Sequence, residues 1–568
     1  MNKSKHNPLI ILPGINHSQT FLYDSYGHHI KDRKGNDLGG TFIFPDTDTA
    51  RLYFPEVKRE IFKSIAASDP AKVKKAVYKL VSESLWPQKC DSDGNHVNNL
   101  ITQRNPHSMA TFSDEELRWL DIMVPMKELP DIIGRDKIYF FTFNLVGDPL
   151  KSAEELDSYI QNVKSETGCE KVTLLPISLG GTILTAYLEC FGHRDIDNIV
   201  NAVACLNGTD IVADLFEKNF NMSSAFIHHV FPADISEEIA GKKSYGYIIG
   251  SLLHILPDRV IKAVLESAVD AALDTVMINC PQMWAMLPSY RYDDLADRYL
   301  SDASKKKLKE KTDRFQTARL NLKKNILSAV ADGVKVSFIS GSNLSFGEPE
   351  YRFFEVVSST GRYNTDGIIN LSSTTLGATG VPNKGTLGKN YRQKKTNPEY
   401  PDYSYISPDN KIDVSTALLP DSTWIFLNQH HEVGRNDAVL NLFISLILGR
   451  IDDVHSDPVN YPQFNFSSNT QSLRRHLLPE AERLLGKIEN GTLPRDAGIT
   501  EKLRESVAQA RAVLDLTVAD SERAKKSAES IKAVLSYFTE QKKDEQQSIK
   551  DAVIEKISKK ISLGLLKK

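Results

Sequence analysis

Residues 171–191 read KVTLLPISLGGTILTAYLECF, and the order of the rest of the chain is best understood from them. The run 172–175 is short, apolar and begins with a β-branched residue, which is typical of a buried strand. Residues 182–191 are mostly good helix formers and end at a glycine. Only a tight turn holding Ser178 separates the two, and Gly180 lets the helix approach the strand closely. The pattern predicts that Ser178 lies on a strained turn at the carboxyl end of a parallel strand.

A serine at such a turn can act as a nucleophile, because the turn raises its hydroxyl above the edge of the sheet. The usual pattern is Gly-x-Ser-x-Gly, and here Pro176 replaces the first glycine. Proline accepts the extended backbone of a strand end but supplies no N–H group. The alternative interpretation is that Ser178 is an ordinary turn serine and that Gly180 and Gly181 only punctuate the passage from strand to helix.

The composition is that of an ordinary folded protein. The net charge of −3 gives no electrostatic reason to expect nucleic acid as a partner. Five cysteines without a Cys-x-x-Cys pair argue against a zinc knuckle or a disulfide framework. His17, His28 and His29 lack a carboxylate at fixed spacing, so we expect no metal, and we expect no cofactor. The longest apolar stretch, 438–448, is too short for a bilayer span and no signal segment is recognisable, so we expect a cytoplasmic protein.

Strands and helices alternate on both sides of residues 171–191. An apolar strand at 9–12 and a β-prone run at 139–143 precede them, and a strand at 199–206 follows. Ser152 and Glu155 have the spacing of a capping box, which predicts a helix start there. This alternation predicts an α/β fold whose mostly parallel sheet is covered by helices on both faces.

Shifts in this alternation predict four regions. Residues 1–208 and 332–455 form the two parts of the sheet domain, and the mainly helical residues 209–331 interrupt it as a cap or lid. Residues 471–568 carry apolar residues at helical spacing, which predicts a separable helical bundle or antiparallel coil. Pro479 should break or kink the first helix of this tail.

The end of the tail places Ile549, Val553, Ile557 and Ile561 on one helical stripe amid lysines. A basic amphipathic helix can lie on an anionic membrane, which would make the protein a peripheral membrane protein. The alternative is a helix packed on its neighbours with a solvated lysine face.

Three side chains occur in the chain order serine, acid, histidine that an α/β-hydrolase requires. Asp366 follows Ser178 and lies in an Asp-Gly loop before the last clear strand, at 423–427. His430 and His431 come directly after that strand, where a base is expected. The imidazole must take the serine proton, and a carboxylate must hold the imidazole in the right tautomer.

The oxyanion of such a reaction needs fixed N–H donors. Leu179, directly after the candidate nucleophile, is expected to give one. Ile15, in the loop after Pro13 and Gly14, is expected to give the other.

From residue 8 to about residue 450 the chain resembles the lecithin:cholesterol acyltransferase and lysosomal phospholipase group of α/β-hydrolases. The segments that carry the resemblance are PLIILPG at 8–14, ISLGG at 177–181, PQMWAMLP at 281–288, TDGIINL at 365–371, and QHHEV at 429–433 continued to ILG at 447–449. An ungapped match of the last segment implies that His430 is the catalytic base, with His431 as the alternative, and the acid falls on Asp366. The cap segment implies that Trp284 and Leu287 line an acyl groove; a tryptophan packed in the core of the cap is the alternative.

The motifs and the resemblance together imply a serine hydrolase of the lipase, phospholipase or esterase kind. It would cleave a carboxylic ester of an apolar acyl chain through an acyl-enzyme on Ser178, so a lipid or acyl ester is the expected partner. Transfer of the acyl group to an alcohol would use the same residues. Ile177 stands where the family usually has histidine, and Pro176 stands in place of glycine. These departures motivate a second hypothesis, a non-catalytic scaffold in which the hydrolase fold and the helical tail serve binding.

Overall fold

The computed structural model describes residues 6–15, 17–67, 69–124, 126, 128–219, 257–346, 359, 361–382, 385–466, 473, 477–491, 497–514 and 526–537. The chain forms two compact units: the first is Met1–Arg435 with Val439–Asn465, and the second is Asn436–Ala438 with Phe466–Lys568. Within the described ranges, no helix combines the length and the apolarity needed to cross a lipid bilayer.

Twelve strands occur in the described part of the chain: β1 (Leu9–Leu12), β2 (Thr20–Tyr23), β3 (Gly39–Gly40), β4 (Asn99–Thr102), β5 (Ile138–Phe140), β6 (Val172–Pro176), β7 (Ile196–Ala202), β8 (Lys335–Ser342), β9 (Thr379–Gly380), β10 (Ile412–Asp413), β11 (Thr423–Leu427) and β12 (Phe464–Phe466). Seven of them form one sheet in the order β12-β11-β8-β7-β6-β1-β5. The pairs from β11 through β8, β7, β6 and β1 to β5 are parallel. Strands β3, β2 and β4 form a separate antiparallel sheet. The predicted α/β class with a mainly parallel sheet is therefore confirmed.

The helices are α1 (Thr47–Ala67), α2 (Ala71–Ser84), α3 (Asp114–Met123), α4 (Leu129–Ile133), α5 (Pro149–Thr167), α6 (Gly180–Cys190), α7 (Asp210–Glu217), α8 (Asp258–Ala272), α9 (Pro281–Ala285), α10 (Ser289–Tyr299), α11 (Lys306–Ala331), α12 (Leu371–Thr374), α13 (Asp437–Ile447), α14 (Leu478–Glu489), α15 (Ala497–Leu514) and a further helix over 526–537. Helix α5 shows how local chemistry sets a boundary. It begins at Pro149 behind an Asp148 cap that accepts a bond from the Leu150 N–H at 3.0 Å. The predicted cap at Ser152 is wrong, because Asp148 caps the helix four residues earlier and Pro149 presets its first turn.

The central strands are buried along their whole length. Every residue of β1 and of β6 is buried, which explains why both read as continuous apolar runs instead of alternating patterns. Helices from the predicted cap region share the core of the sheet: Trp284 of α9 and Leu322 of α11 belong to the same buried cluster as Leu174 of β6. A hydrogen bond also joins α11 to α6, in which Asn325 donates to Glu189 at 2.8 Å. Residues 220–256, the middle of the predicted cap, lie outside the described residues, and the lid function stays a prediction.

The second unit contains a helical cluster of its own. Leu473, Ala481 and Ile488, which the sequence places on one helical face, are buried together with residues of α15 and of the helix over 526–537. Pro479 lies in the first turn of α14. Residues 474–476 ahead of it lie outside the described residues, so the break or kink expected at Pro479 stays a prediction. The first N–H groups of a helix have no intrahelical acceptor, so proline costs little at that position. The basic stripe predicted from Ile549 onward lies outside the described residues.

Candidate active site

Ser178 occupies the short turn between β6 and α6. Its φ of 51° is in the left-handed region, which is uncommon for a residue with a side chain. The Ser178 N–H donates to Ala202 O at 3.1 Å and the Ile177 N–H donates to Leu12 O at 2.9 Å, so the turn is bonded to the strands on both sides. Pro176 is the last residue of β6 and is in register with Leu12. Since Ile177 makes the bond to Leu12, the missing N–H of Pro176 leaves the sheet intact.

Two glycines make this turn sterically possible. A Cβ on Gly180 would lie 2.2 Å from Leu12 O, so only glycine lets α6 start this close to β1. A Cβ on Gly14 would lie 2.9 Å from Ser178 Cβ and 3.4 Å from Ser178 Oγ. The loop after β1 therefore passes directly against the serine.

Ser178, His431 and Asp366 form one hydrogen-bonded chain. Ser178 Oγ lies 2.8 Å from His431 Nε2, and His431 Nδ1 lies 2.7 Å from Asp366 Oδ2. The ionised carboxylate can only accept, so Nδ1 carries the imidazole hydrogen and Nε2 is left as an acceptor for the serine hydroxyl. The three residues are largely buried, with Ser178 9% exposed and the side chains of His431 and Asp366 13% and 0% exposed. This arrangement can deprotonate the serine hydroxyl as it attacks an electrophile.

The histidine that bonds Ser178 and Asp366 is His431, the alternative, and not His430, the predicted base. The backbone N–H of Glu432 donates to His430 Nδ1 at 3.3 Å, so the His430 ring is engaged with its own turn. Asn428, just after β11, has a φ of 56° and turns the chain away from the strand direction. The His431 N–H then donates to Asp366 O at 2.8 Å, which fixes this residue beside the acid.

Asp366 is held by its own loop. Its Oδ1 accepts from the N–H groups of Ile368 at 3.0 Å and Ile369 at 2.7 Å. Together with His431, these N–H groups give the carboxylate three hydrogen-bond donors. The three bonds offset the free-energy cost of burying a fully enclosed charge. The loop is tied in turn to the start of α7, since Thr209 Oγ1 donates to Ile368 O at 2.6 Å.

A further pair, Asn370 and Asp210, fastens the far end of the same loop. The Asp210 N–H donates to Asn370 Oδ1 at 3.2 Å, and Asn370 Nδ2 donates to Asp210 Oδ2 at 2.9 Å. Arg291 donates to Asp210 Oδ1 at 3.0 Å. Burial nevertheless raises the pKa of Asp210 above its usual value. The sequence analysis missed this pair; Asp210 is the first residue of α7 and Asn370 is the N-cap of α12, so a polar residue at a helix start is the local signal that both share.

The predicted oxyanion donors flank the serine. Leu179 follows it directly, and Ile15 belongs to the loop that Gly14 brings against it. Neither of these N–H groups donates a hydrogen bond to another described residue. Both are thus available for a negatively charged oxygen, and their role stays a prediction.

Trp284 and Leu287 lie in the core. They are 1% and 0% exposed, and Trp284 Nε1 donates to Ile278 O at 2.9 Å. The indole ring packs edge-on against Phe216 and Tyr292, with ring centroids 4.9 and 5.9 Å apart. These contacts favour the interpretation of Trp284 as a packed tryptophan and correct the expectation that the two residues line an open acyl groove.

Strained backbone concentrates at the same edge of the sheet. Four of its parallel strands are each followed within two residues by a non-glycine residue of positive φ: Ser178 after β6, Val203 after β7, Asn343 after β8 and Asn428 after β11. Each such residue costs about 1–3 kcal/mol and persists only where its surroundings enforce it, and such strain clusters at functional sites. The carboxyl edge is therefore the part of this sheet that its packing constrains most.

One other nucleophile approaches the turn. The Cys205 N–H donates to Ser178 O at 2.7 Å. Burial raises the pKa of the Cys205 thiol to about 11, so it is protonated near neutral pH and does not compete with the serine. Among the residues that the structure describes, no group of three or more His, Cys, Asp or Glu side chains could hold a metal ion.

Comparison with known proteins adds little to this geometry. No protein-family profile matches the chain. No curated protein matches it either. Among solved structures, a chain of "The crystal structure of Tle4-Tli4 complex" matches with 11% identity over 60% of this chain and 75% of that chain, at a TM-score of 0.24. A match at that TM-score carries no argument, so the site is interpreted from its own residues.

Proposed function

We propose that this protein is a serine hydrolase of the α/β-hydrolase fold that cleaves carboxylic esters through an acyl-enzyme on Ser178. The observation that carries the proposal is the continuous hydrogen-bonded chain from Ser178 through His431 to Asp366 at the carboxyl edge of a parallel sheet. The three residues follow the chain order of that fold.

Acylation uses each of the three side chains. Ser178 Oγ attacks the ester carbonyl carbon while His431 Nε2 takes the hydroxyl proton, and Asp366 stabilises the imidazolium that results. The N–H groups of Leu179 and Ile15 stabilise the oxyanion of the tetrahedral intermediate. When the intermediate collapses, the C–O bond to the alcohol breaks and His431 returns the proton to the departing alkoxide oxygen.

Deacylation repeats these steps with water. The water oxygen attacks the acyl carbon while His431 takes a proton from the water. His431 then returns that proton to Ser178 Oγ as the carboxylic acid leaves. An alcohol in place of water would give a new ester, which is acyl transfer with the same residues. The apolar acyl group of the proposed substrate follows from the resemblance of the chain to the lecithin:cholesterol acyltransferase and lysosomal phospholipase group.

Labelling with a fluorophosphonate probe tests the proposal. We expect one adduct, located on Ser178 by peptide mass analysis, because the probe captures an activated serine. Ser178→Ala should abolish labelling and turnover of p-nitrophenyl esters. His431→Ala should slow both by at least about 10³-fold, since removal of the base leaves only the contribution of the oxyanion site and binding.

His430→Ala is the matched control, because it removes the neighbouring ring without touching the hydrogen-bonded chain. The labelling rate of this variant should lie within about twofold of the rate for the unchanged protein, because substitutions away from the reacting atoms usually have small effects. If the folded protein takes up neither a small nor a bulky probe on Ser178, the scaffold hypothesis replaces this one.

A further inference from the structure

A cavity of about 760 Å³ lies between the edge strand β5, the small sheet of β2 and β4, and the start of α3. That volume suits a small organic group. Its wall includes Gln19, Gln103, Arg104, Tyr23 and Phe112. Planar polar side chains beside aromatic rings are the groups that bind hydroxyl-rich molecules, since they offer donors and acceptors together with flat apolar faces.

The cavity adjoins the candidate nucleophile through His17. This histidine lines the cavity. Its Nδ1 lies 3.5 Å from the point where a Cβ on Gly14 would sit, and Ser178 Oγ lies 3.4 Å from that same point. His17 therefore lies close both to the cavity and to Ser178.

Hydrogen bonds hold the Arg104 side chain and the backbone of the two glutamines in the wall of the cavity. Arg104 Nε donates to Thr142 O at 2.7 Å, and its guanidinium lies 4.1 Å from the centroid of the Phe141 ring. Thr142 Oγ1 donates to Gln103 O at 2.5 Å. The Gln103 N–H donates to Gln19 O at 2.8 Å, so the two glutamines are adjacent on the wall. The two glutamine side chains are exposed, so their carboxamides can reach a ligand in the cavity.

The charges of the wall disfavour an anionic ligand. Arg104 is paired with Glu155 at 2.8 Å, so its charge is already neutralised. The other charged residues of the wall are Glu115 and Glu116, and Glu116 accepts from the N–H of Ser113 at 2.7 Å in a capping box. The described residues of this wall therefore offer no surplus positive charge that would bind a phosphate or a carboxylate.

We propose that this cavity binds a neutral polyhydroxyl group, such as glycerol or a sugar, that forms the alcohol part of the ester cleaved at Ser178. The proposal rests on the proposed function, and it names the part of the substrate that the reacting atoms do not define. The carboxamides of Gln19 and Gln103 contact hydroxyl groups of the substrate, and Tyr23 and Phe112 contact its carbon skeleton.

Three laurate esters with the same acyl chain test it: 1-lauroylglycerol, lauroylcholine and methyl laurate. The unchanged protein should have the highest kcat/KM on 1-lauroylglycerol, at least about tenfold above methyl laurate, which is the effect of roughly one hydrogen bond. Gln19→Leu with Gln103→Leu should bring that ratio within about twofold, because kcat/KM on 1-lauroylglycerol falls when the hydrogen bonds to its free hydroxyl groups are lost. Gln509→Leu, an exposed glutamine of α15, controls for the added apolar surface.

Each other outcome overturns the proposal. Equal kcat/KM values on the three esters would mean that the cavity does not hold the alcohol part. A preference for lauroylcholine would assign it to a cation held by the glutamates. Loss of activity on all three esters in the double variant, with Gln509→Leu active, would mean that the glutamines act on the reaction and not on selectivity. If Ser178→Ala retains methyl laurate turnover, the proposed function itself fails, and this result is separate from the others.

Discussion

Asn370 and Asp210 exchange two hydrogen bonds, from the Asp210 N–H to Asn370 Oδ1 at 3.2 Å and from Asn370 Nδ2 to Asp210 Oδ2 at 2.9 Å. Asn370 ends the loop that begins with Asp366, so this contact links the acid to α7. The link continues to α10, because Tyr290 and Arg291 of that helix both donate to Asp210. The position of Asp366 relative to His431 therefore depends on residues that do not touch the imidazole.

Asn370→Ala removes both bonds of this pair and should lower kcat on p-nitrophenyl esters by about 10- to 100-fold, because small displacements of catalytic groups have effects of that size. KM should stay within about twofold, since Asn370 is only 4% exposed and a substrate has little access to it. Asn325→Ala, which breaks a bond of 2.8 Å to Glu189 elsewhere in the same unit, is the control. Equal loss of kcat in both variants would point to general destabilisation of the fold.

Asp366→Asn should lower kcat by about 10⁴-fold while the protein keeps its fold. The amide oxygen can still accept from Ile368 and Ile369, but the amide NH₂ would then face His431 Nδ1. The imidazole would have to accept there and carry its hydrogen on Nε2, where it cannot take the serine proton. Asp421→Asn is the control. Asp421 also contacts a histidine, His455, whose Nε2 lies 2.8 Å from Asp421 Oδ1, but this pair takes no part in the hydrogen-bonded chain of Ser178. Retained turnover in Asp366→Asn would show that this carboxylate does not orient the base.

Gly14→Ala should lower kcat by at least about 10²-fold, the usual effect of disturbing an oxyanion donor. The added methyl group would lie 2.9 Å from Ser178 Cβ, so the loop that carries Ile15 must move away. Gly388→Ala is the control, because nothing lies within 4 Å of a Cβ at that position. Steady-state turnover together with thermal unfolding separates loss of catalysis from loss of the fold.

His96 should make the protein less stable as the pH falls from about 6.5 towards 4. Burial, assisted by repulsion from Lys151, lowers the pKa of His96 from 6.5 to about 4. The neutral ring accepts from Asn144 Nδ2 at 2.9 Å and donates to Cys90 Sγ, 3.5 Å away. Within this window the unfolded chain binds a proton at this position and the folded chain does not, so acid favours unfolding.

Urea unfolding of the protein and of His96→Gln at pH 7 and pH 4.5 tests this expectation. The drop in unfolding free energy between the two pH values should be smaller in the variant, because glutamine does not titrate. An identical drop in both proteins would mean that other groups account for the acid sensitivity.

The sequence predicts those parts of the site that local patterns determine. Residues 172–191 specify a strand, a turn and a helix by themselves, and the position of Asp366 after a strand follows from the order of the sheet. The choice between His430 and His431 depends on the left-handed Asn428, a backbone conformation that no pattern of side chains shows. For Trp284 the difficulty is different. An apolar ring suits a groove and a core equally, and only the neighbouring rings in the folded chain distinguish them.

Ser178 and His431 stand 253 positions apart in the chain. A ribosome that adds about 5–20 residues per second therefore exposes the nucleophile roughly 10–50 s before it has made the base. During that interval the nascent chain contains the serine turn but no imidazole to activate it. If the proposed function holds, a chain that ends before His431 lacks the base and is inert, even when it has completed every strand from β1 to β11.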